Sequence, residues 1–347
     1  MIDYLIITHL PAFYKVNLYN ALAKTLKIKV VFTGASSKIR THDFTQAQYS
    51  FACEFLSNKA FENRNRVLSL ISLYKILRKE NYKKLIISGW DLPEYWLANF
   101  LAPKAKLCLA LESSVNESAL SGWKKKLKEL FLKKISTTFA SGENHKKLLQ
   151  ALGYRGQTSI TEGVGIFNRI QITKEARVKP FEGKFLYVGR LSLEKNLPFI
   201  INYFNANQQY CLSCVGQGPE GASLKKMAGP NINFIDHVPN ERIFEVYQAH
   251  DVLILPSLKE PWGLVVEEAL YYGLPVVVSD TVGCAENIVV KNDAGVLFCP
   301  TSETSLQAAI ETITQPLEFQ RLKENVQKVD FIARDKRQIG WYIEVLA

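Results

Sequence analysis

Several things are missing from these 347 residues, and each absence narrows the reading. No stretch approaches the roughly 20 consecutive apolar residues that cross a bilayer; the run 68–77 is short and broken by Lys75. No spanning helix is expected, so any membrane contact would be peripheral. The first residues, Met1-Ile2-Asp3-Tyr4-Leu5, lack the basic segment and cleavable apolar run of an export signal, and a cytoplasmic protein is expected. Cysteine is sparse: the 6 residues at 53, 108, 211, 214, 284 and 299 lie in apolar, strand-like stretches and form no disulfide framework. Cys211 and Cys214 have CxxC spacing, but in a strand the period of two sends them to opposite faces, and no metal site is expected. No internal repeat, low-complexity tract or nucleic-acid module is present, and Phe100 and Trp123 sit in patterns that core packing explains.

The chain has 47% hydrophobic and 22% charged residues, an ordinary globular balance, over a length that one hydrophobic core rarely serves. Two domains are expected. The net charge of +10 is uneven: residues 1–170 hold 26 Lys and Arg against 12 Asp and Glu, and the remainder 17 against 21. A basic first half suits an anionic partner, either a phosphate-bearing acceptor, a membrane surface or nucleic acid; solvated lysine-rich surfaces are the plainer explanation.

Short β-rich runs alternate with helical spacing throughout, the pattern of parallel sheets covered by crossover helices. Strands are predicted at 2–7, 28–33, 84–88 and 106–111, and helices at 15–26, 68–80 and 91–101. The polar, aperiodic segment 34–52 reads as a mobile surface loop. Residues 163–183 read as a linker. Beyond it, strands are predicted at 184–188, 210–215, 231–235, 251–255, 274–279 and 294–298, with helices starting at 194, 219, 241, 262 and 303. The pattern 332–345 reads as a final helix with no strand to follow, free to pack back on the first domain.

The chemistry concentrates in the second half. The strand 251–255 empties into Pro256-Ser257-Leu258-Lys259-Glu260-Pro261-Trp262-Gly263, and the next helix is expected to start with Pro261 near its first position. In an open α/β sheet, ligands bind beyond the carboxyl ends of the strands, and a helix N-terminus there suits a diphosphate. Gly263 would let phosphates approach the backbone. Glu260 and Glu268, with seven residues between them, could reach different hydroxyl-bearing parts of one ligand; taken alone, the plainer reading has Glu260 capping the helix and Glu268 in solvent. Upstream, Gly189-Arg190 ends another strand and Lys195 follows, so two cations stand where a pyrophosphate could be held. Gly216-Gln217-Gly218 and Asp280-Thr281-Val282-Gly283 end two more strands.

On these residues 184–298 resemble the donor-binding domain of glycosyltransferase family 4. The matching signatures are the Gly189-Arg190 to Lys195 turn, Gly216-x-Gly218, the Glu260-x7-Glu268 motif around Gly263, the run from Ala269 through Gly273-Leu274-Pro275, and Gly283 to Glu286. The resemblance implies an α/β chain of the GT-B fold: two doubly wound, Rossmann-like domains facing a central cleft, 1–168 for the acceptor and 169–330 for the donor, with the C-terminal helix 331–347 crossing back to the first. It implies a retaining enzyme that uses no metal or other cofactor. It implies that Arg190 and Lys195 contact the donor diphosphate, Glu260 the transferred sugar and Glu268 the ribose. Gly189, Gly216, Gly218, Val238, Pro261, Trp262, Gly263, Leu264 and Val265 would line the rest of the donor site.

The first half matches more loosely. Where family members carry a glycine-rich loop after the first strand, this chain reads Thr8-His9-Leu10-Pro11-Ala12. His9 at that strand end and Glu112 after the strand 106–111 are the candidates to meet the acceptor or the leaving phosphate, and each has an ordinary structural alternative. The segment 123–135 places Trp123, Leu127, Leu130, Phe131 and Ile135 on one helical face among lysines; it fits an anionic membrane surface or a core-packed helix with a solvated lysine face. The expected function is transfer of a sugar from a nucleoside diphosphate sugar to an acceptor hydroxyl of a glycan or lipid-linked glycan. The rivals are a nucleotide-sugar epimerase on the same fold and a basic membrane-binding scaffold without catalysis.

Overall fold

The computed structural model describes residues 1–39, 44–45, 47–171 and 180–346. The middle of the expected linker, 172–179, and residues 40–43 and 46 of the expected loop lie outside the described residues. The chain divides into two compact units, Met1–Asn168 with Ile332–Ala347, and Arg169–Phe331.

The first unit contains β1 (Ile2–Thr8), α1 (Phe13–Leu22), β2 (Ile28–Phe32), β3 (Ala52–Phe55), α2 (Arg66–Lys79), β4 (Tyr82–Ile87), α3 (Pro93–Leu101), β5 (Leu107–Leu111), α4 (Gly122–Leu132), β6 (Thr137–Ala140), α5 (Glu143–Ala151) and β7 (Gln157–Ile160). Its seven strands lie in the order β3-β2-β1-β4-β5-β6-β7, each pair parallel. The winding reverses between β1 and β4, which makes their carboxyl ends the switch point of the sheet. Strand alternation divides β1 between two cores: Leu5 and Ile7 pack with residues of α2, α3, α4 and α5, while Tyr4 and Ile6 pack with α1. The four-residue strands β3, β6 and β7 went unread in the sequence because segments such as Gln157-Thr-Ser-Ile160 are too short and polar to show a period.

The expected surface loop is tied down where it is described. Asn20 of α1 donates to the Gln48 carbonyl and accepts from the Ser50 amide, at 2.9 and 2.8 Å, and Phe44 packs edge-on against Phe13 and Tyr14.

The last helix, α12 (Phe331–Glu344), joins the α1 side of this unit from residue 332 onward. Tyr342 stacks on Phe139 of β6 with ring centroids 4.2 Å apart, and its carbonyl accepts a 2.7 Å hydrogen bond from the Tyr4 hydroxyl. Gln338 donates to the Gly163 carbonyl at 3.0 Å.

The second unit contains β8 (Lys184–Val188), α6 (Leu197–Ala206), β9 (Cys211–Val215), α7 (Gly221–Met227), β10 (Ile232–Ile235), α8 (Ile243–Gln248), β11 (Val252–Leu255), α9 (Leu264–Tyr271), β12 (Val276–Ser279), β13 (Gly295–Phe298), α10 (Glu303–Thr314) and α11 (Pro316–Lys328). Its parallel strands lie in the order β10-β9-β8-β11-β12-β13, so the switch point falls between β8 and β11. β11 and β12 are buried at every residue, as strands covered on both faces must be. Cys211 is exposed and Cys214 buried, in keeping with the strand period, and both are free thiols.

Replacing Tyr342 by Ala removes the aromatic stack that holds α12 and is expected to cost about 3–5 kcal/mol, the range for deleting a buried aromatic ring. Urea unfolding of the complete chain measures it. A loss below about 1 kcal/mol would mean that α12 contributes little to the first unit's core.

Candidate functional site

In the second unit the loops that leave β8 and β11 are fastened together. The Leu258 amide donates to the Glu194 carbonyl at 2.9 Å, and the Lys195 ammonium is ion-paired with the Glu260 carboxylate. Both side chains are largely buried, at 16% and 14% exposure, so each charge depends on the other for its solvation. Arg190 makes a parallel pair with Glu194 at 2.7 Å, and the Ser192 hydroxyl donates to the same oxygen. Burial opposes the charge on Glu194, but the hydrogen bonds from Ser192 and Arg190 outweigh it and bring its pKa down to about 2. Arg190, Lys195 and Glu260, singled out from the sequence, thus converge on one strand-end cluster. Glu194 and Ser257, whose hydroxyl lies 3.4 Å from Glu260, were not foreseen. Nothing in their spacing marks them; they matter because they sit between the foreseen residues.

The glycines at these strand ends also permit close packing of the turns. Gly216 has φ +134°, and a Cβ there would fall 2.1 Å from the Gly189 carbonyl oxygen. Its role is to let the turn after β9 lie against the turn after β8, reinforced by the Leu191 amide donating to the Gln217 carbonyl at 3.0 Å. Gly218, in the same turn, receives the Gly221 amide on its carbonyl at 3.1 Å.

The expected helix start at Pro261 is corrected. Residues 260–262 are bonded to the chain after β12: Glu260 bridges Val282, the Gly283 amide donates to the Glu260 carbonyl at 2.9 Å, and the Cys284 amide to that of Trp262 at 2.8 Å. Gly263 then turns with φ +98°, and α9 begins at Leu264. Only glycine adopts that angle easily while tolerating Val282, whose Cγ1 would be 2.9 Å from an added Cβ. Leu264 and Val265 form the first turn of α9, so their amides belong to its N-terminus.

The Trp262 side chain is turned inward. It is 3% exposed and its indole N–H donates to Glu267, itself fully buried. Pro261 is exposed, and Val238 lies half-buried in the loop after β10.

Glu268 is not solvated. It is half-buried and accepts a 2.8 Å hydrogen bond from the Tyr247 hydroxyl of α8. Burial raises its pKa to about 7, against the lowering effect of Tyr247 and with a further rise from Glu267.

In the first unit the switch point carries a second polar cluster. Asp91, just after β4, lies 2.9 Å from His9 Nε2, and the Tyr95 hydroxyl lies 2.9 Å from His9 Nδ1. Burial works against the Asp91 charge, but the hydrogen bond and charge of His9 prevail and lower its pKa. With Asp91 ionised, Nε2–H is the donor to its carboxylate, and the Tyr95 hydroxyl pairs with Nδ1. Both ring nitrogens are engaged, and the Asp91 carboxylate is the more exposed partner, 58% against 29%. Glu112 is ion-paired at 2.7 Å with Lys15 of α1, a lysine only 7% exposed. Burial disfavours the Lys15 charge, but the Glu112 carboxylate overcomes this and holds the ammonium above its ordinary pKa. Lys15, Asp91 and Tyr95 were missed in the sequence. Asp91 and Tyr95 sit four residues apart just past β4, a signal that could have been read.

Residues 169–329 match the model of the glycosyl transferases group 1. The second unit belongs to that family. Among curated relatives of this group 1 domain are the O-antigen biosynthesis glycosyltransferase WbnH of Escherichia coli, 28% identical over 64% of this chain and 65% of that protein, and sulfoquinovosyl transferase SQD2 of Arabidopsis thaliana, 27% identical over 48% of this chain and 33% of that protein. The chain therefore spans between a third and about two thirds of the length of these relatives. Among solved structures, sucrose-phosphate synthase from Thermosynechococcus elongatus has a TM-score of 0.73 at 19% identity, and Anabaena Alr3699/HepE in complex with UDP has 0.71 at 14%, each covering 99% of both chains. These likenesses show the fold, a GT-B chain of two Rossmann-like units.

The Glu268 pKa has a stability consequence. Above about pH 4.5 the unfolded carboxyl has lost its proton while the folded one keeps it, so the folded state binds more protons and stability falls as pH rises toward 7. Glu268→Gln is expected to remove this component of the pH dependence. Unfolding curves at pH 5 and pH 7 (about two points spanning the window) compare the two proteins; equal pH slopes would show that Glu268 is not held neutral.

Proposed function

We propose that this chain is a retaining, metal-independent glycosyltransferase that moves a sugar from a nucleoside diphosphate sugar to an acceptor hydroxyl in the synthesis of a surface polysaccharide, lipopolysaccharide or other glycan. The observation that carries the proposal is the paired Arg190–Glu194 and Lys195–Glu260 cluster at the switch point of a group 1 domain. Solved relatives of the same fold are described in complex with UDP and with UDP-glucose, and a curated relative with O-antigen biosynthesis, which supports a nucleotide-sugar donor and a glycan product.

In this reading diphosphate oxygens replace part of the carboxylate contacts of Arg190 and Lys195, and the two cations stabilise the charge that develops on the leaving phosphate. Glu260, released in part from Lys195, accepts hydrogen bonds from hydroxyls of the transferred sugar. Glu268 takes the ribose, the first turn of α9 at Gly263, Leu264 and Val265 lies by the phosphate and sugar, and Val238 with the turn holding Gly216 and Gly218 flanks the base. The first unit supplies the acceptor site. Glu112, ion-paired with Lys15, and Asp91, positioned by His9, accept hydrogen bonds from acceptor hydroxyls, while the departing phosphate takes the proton of the attacking hydroxyl. Retention rests on the family resemblance. The setting proposed is the cytoplasmic side of a membrane, with peripheral contact through 123–135; among the described residues no helix is long and apolar enough to cross one.

A thermal-shift panel of the complete chain with UDP, GDP, ADP, CMP and their sugar conjugates tests the donor site. One nucleoside diphosphate is expected to raise the melting temperature, and Arg190→Ala to reduce that rise by at least half, since a charge-assisted contact contributes about 1.5–3 kcal/mol. No shift with any member of the panel would remove the support for a donor site.

A further inference from the structure

Helices α2, α3 and α4 cover the same face of the first unit's sheet and send residues into one core, including Leu73, Ile76, Tyr95, Ala98, Phe131 and Leu132. α3 is joined to α4 directly: Asn99 donates to the Phe131 carbonyl at 3.0 Å and Trp96 meets the Phe131 ring at 4.9 Å. Their outward surfaces are unusual for a solvated face. On α2, Val67, Ile71 and Tyr74 are exposed at spacings of four and three, with Leu68 beside them. On α4, Trp123, Leu127 and Leu130 are exposed at the same spacings. Phe100, at the end of α3, is 77% exposed. Helical spacing in the sequence predicts Phe131 and Ile135 on the same face as Trp123. Instead, Phe131 and Ile135 are buried while Trp123, at 68% exposure, points outward with Leu127 and Leu130, so core packing does not account for the apolar stripe.

The charges around these stripes are nearly all of one sign. Spans 66–79, 95–106 and 121–134 hold 12 Lys and Arg and a single acidic residue, Glu129, which is paired with Lys125 at 3.7 Å. Eleven residues after the first member of each stripe stands a cation, Arg78 on α2 and Lys134 two residues past the end of α4. Lys134 donates to the Phe100 carbonyl at 2.7 Å and lies 5.9 Å from the Phe100 ring centre, so the charge is carried beside the most exposed aromatic.

We infer that the outer surface of α2, α3 and α4 is the face by which this chain lies on an anionic lipid bilayer. The inference extends the peripheral contact proposed above from one segment to three helices and does not depend on sugar transfer. Aliphatic and aromatic side chains enter the boundary between headgroups and acyl chains, and the surrounding lysines and arginines meet anionic headgroups. A second copy of this chain fits poorly, because a symmetric contact would bring like charges from both faces together. Nucleic acid would satisfy the cations but leave Val67, Leu68, Ile71, Leu127 and Leu130 without apolar cover.

Co-sedimentation of the complete chain with vesicles of phosphatidylcholine alone, and of phosphatidylcholine with about one third phosphatidylglycerol, tests this in low and high salt. Binding is expected only to the anionic vesicles and is expected to weaken in high salt. Replacing Lys124, Lys125 and Lys126 together by Gln should weaken it on the order of a hundredfold, from about fivefold per lysine. Ile71→Ser with Tyr74→Ser on α2 should also weaken it, with the melting temperature kept near that of the unsubstituted chain because both residues are exposed. The inference is overturned by equal binding to both vesicle types, by no binding, or by binding that the α2 pair leaves unchanged. It is overturned equally if light scattering shows a dimer that the same substitutions dissociate. Because no donor is present, failure here leaves the sugar-transfer proposal standing, and the thermal-shift panel tests that one separately.

Discussion

The ion pair between Lys195 and Glu260 is the constraint on which the second unit's site depends. Each residue stands in a loop beyond the carboxyl end of a different strand, and the two strands are neighbours only because the sheet reverses its winding between β8 and β11. Largely withdrawn from water, neither charge is stable without the other or a ligand that replaces it. The backbone does the rest: Leu258 is tied to Glu194, and residues 260–262 are bonded to 282–284, so the carboxylate is held by two loops at once. A site that keeps its cations and carboxylates paired before a ligand arrives is already oriented, and a polyanion with hydroxyls can displace both sets of partners in one event.

Much of this was legible in the sequence. The alternation of apolar strands and helical spacing gave parallel sheets, and fully buried strands such as 252–255 announce themselves as continuous apolar runs. The strand-end positions of Arg190, Lys195 and Glu260 followed from the same pattern. The side-chain partners did not, because Glu194 and Tyr247 become relevant only through tertiary proximity. Pro261 misled for a physical reason: proline favours a first helical turn, but the carbonyls of Glu260 and Trp262 are engaged by the amides of Gly283 and Cys284, and this pairing delays the helix to Leu264. The place of Trp262 in the motif likewise says nothing about the buried Glu267 that takes its N–H.

The first unit shows where the excess positive charge resides. At its switch point the visible groups are carboxylates, Asp91 and Glu112, and the nearby Lys15 is buried and committed to Glu112. The lysines and arginines gather instead on the helices covering one face of the sheet. The charge asymmetry between the two halves of the sequence is therefore a property of a surface, and the strand-end cluster suits hydroxyls better than phosphates.

The most direct test of the account is release of free nucleoside diphosphate from a panel of nucleotide sugars, measured with and without a mixture of glycan acceptors, for the complete chain and for Glu260→Gln. The account predicts that one sugar conjugate is cleaved, that acceptors accelerate it, and that Glu260→Gln lowers the rate on the order of a hundredfold or more. Conversion of the donor to an epimeric nucleotide sugar without net release of nucleoside diphosphate, or a rate unaffected by Glu260→Gln, would contradict it.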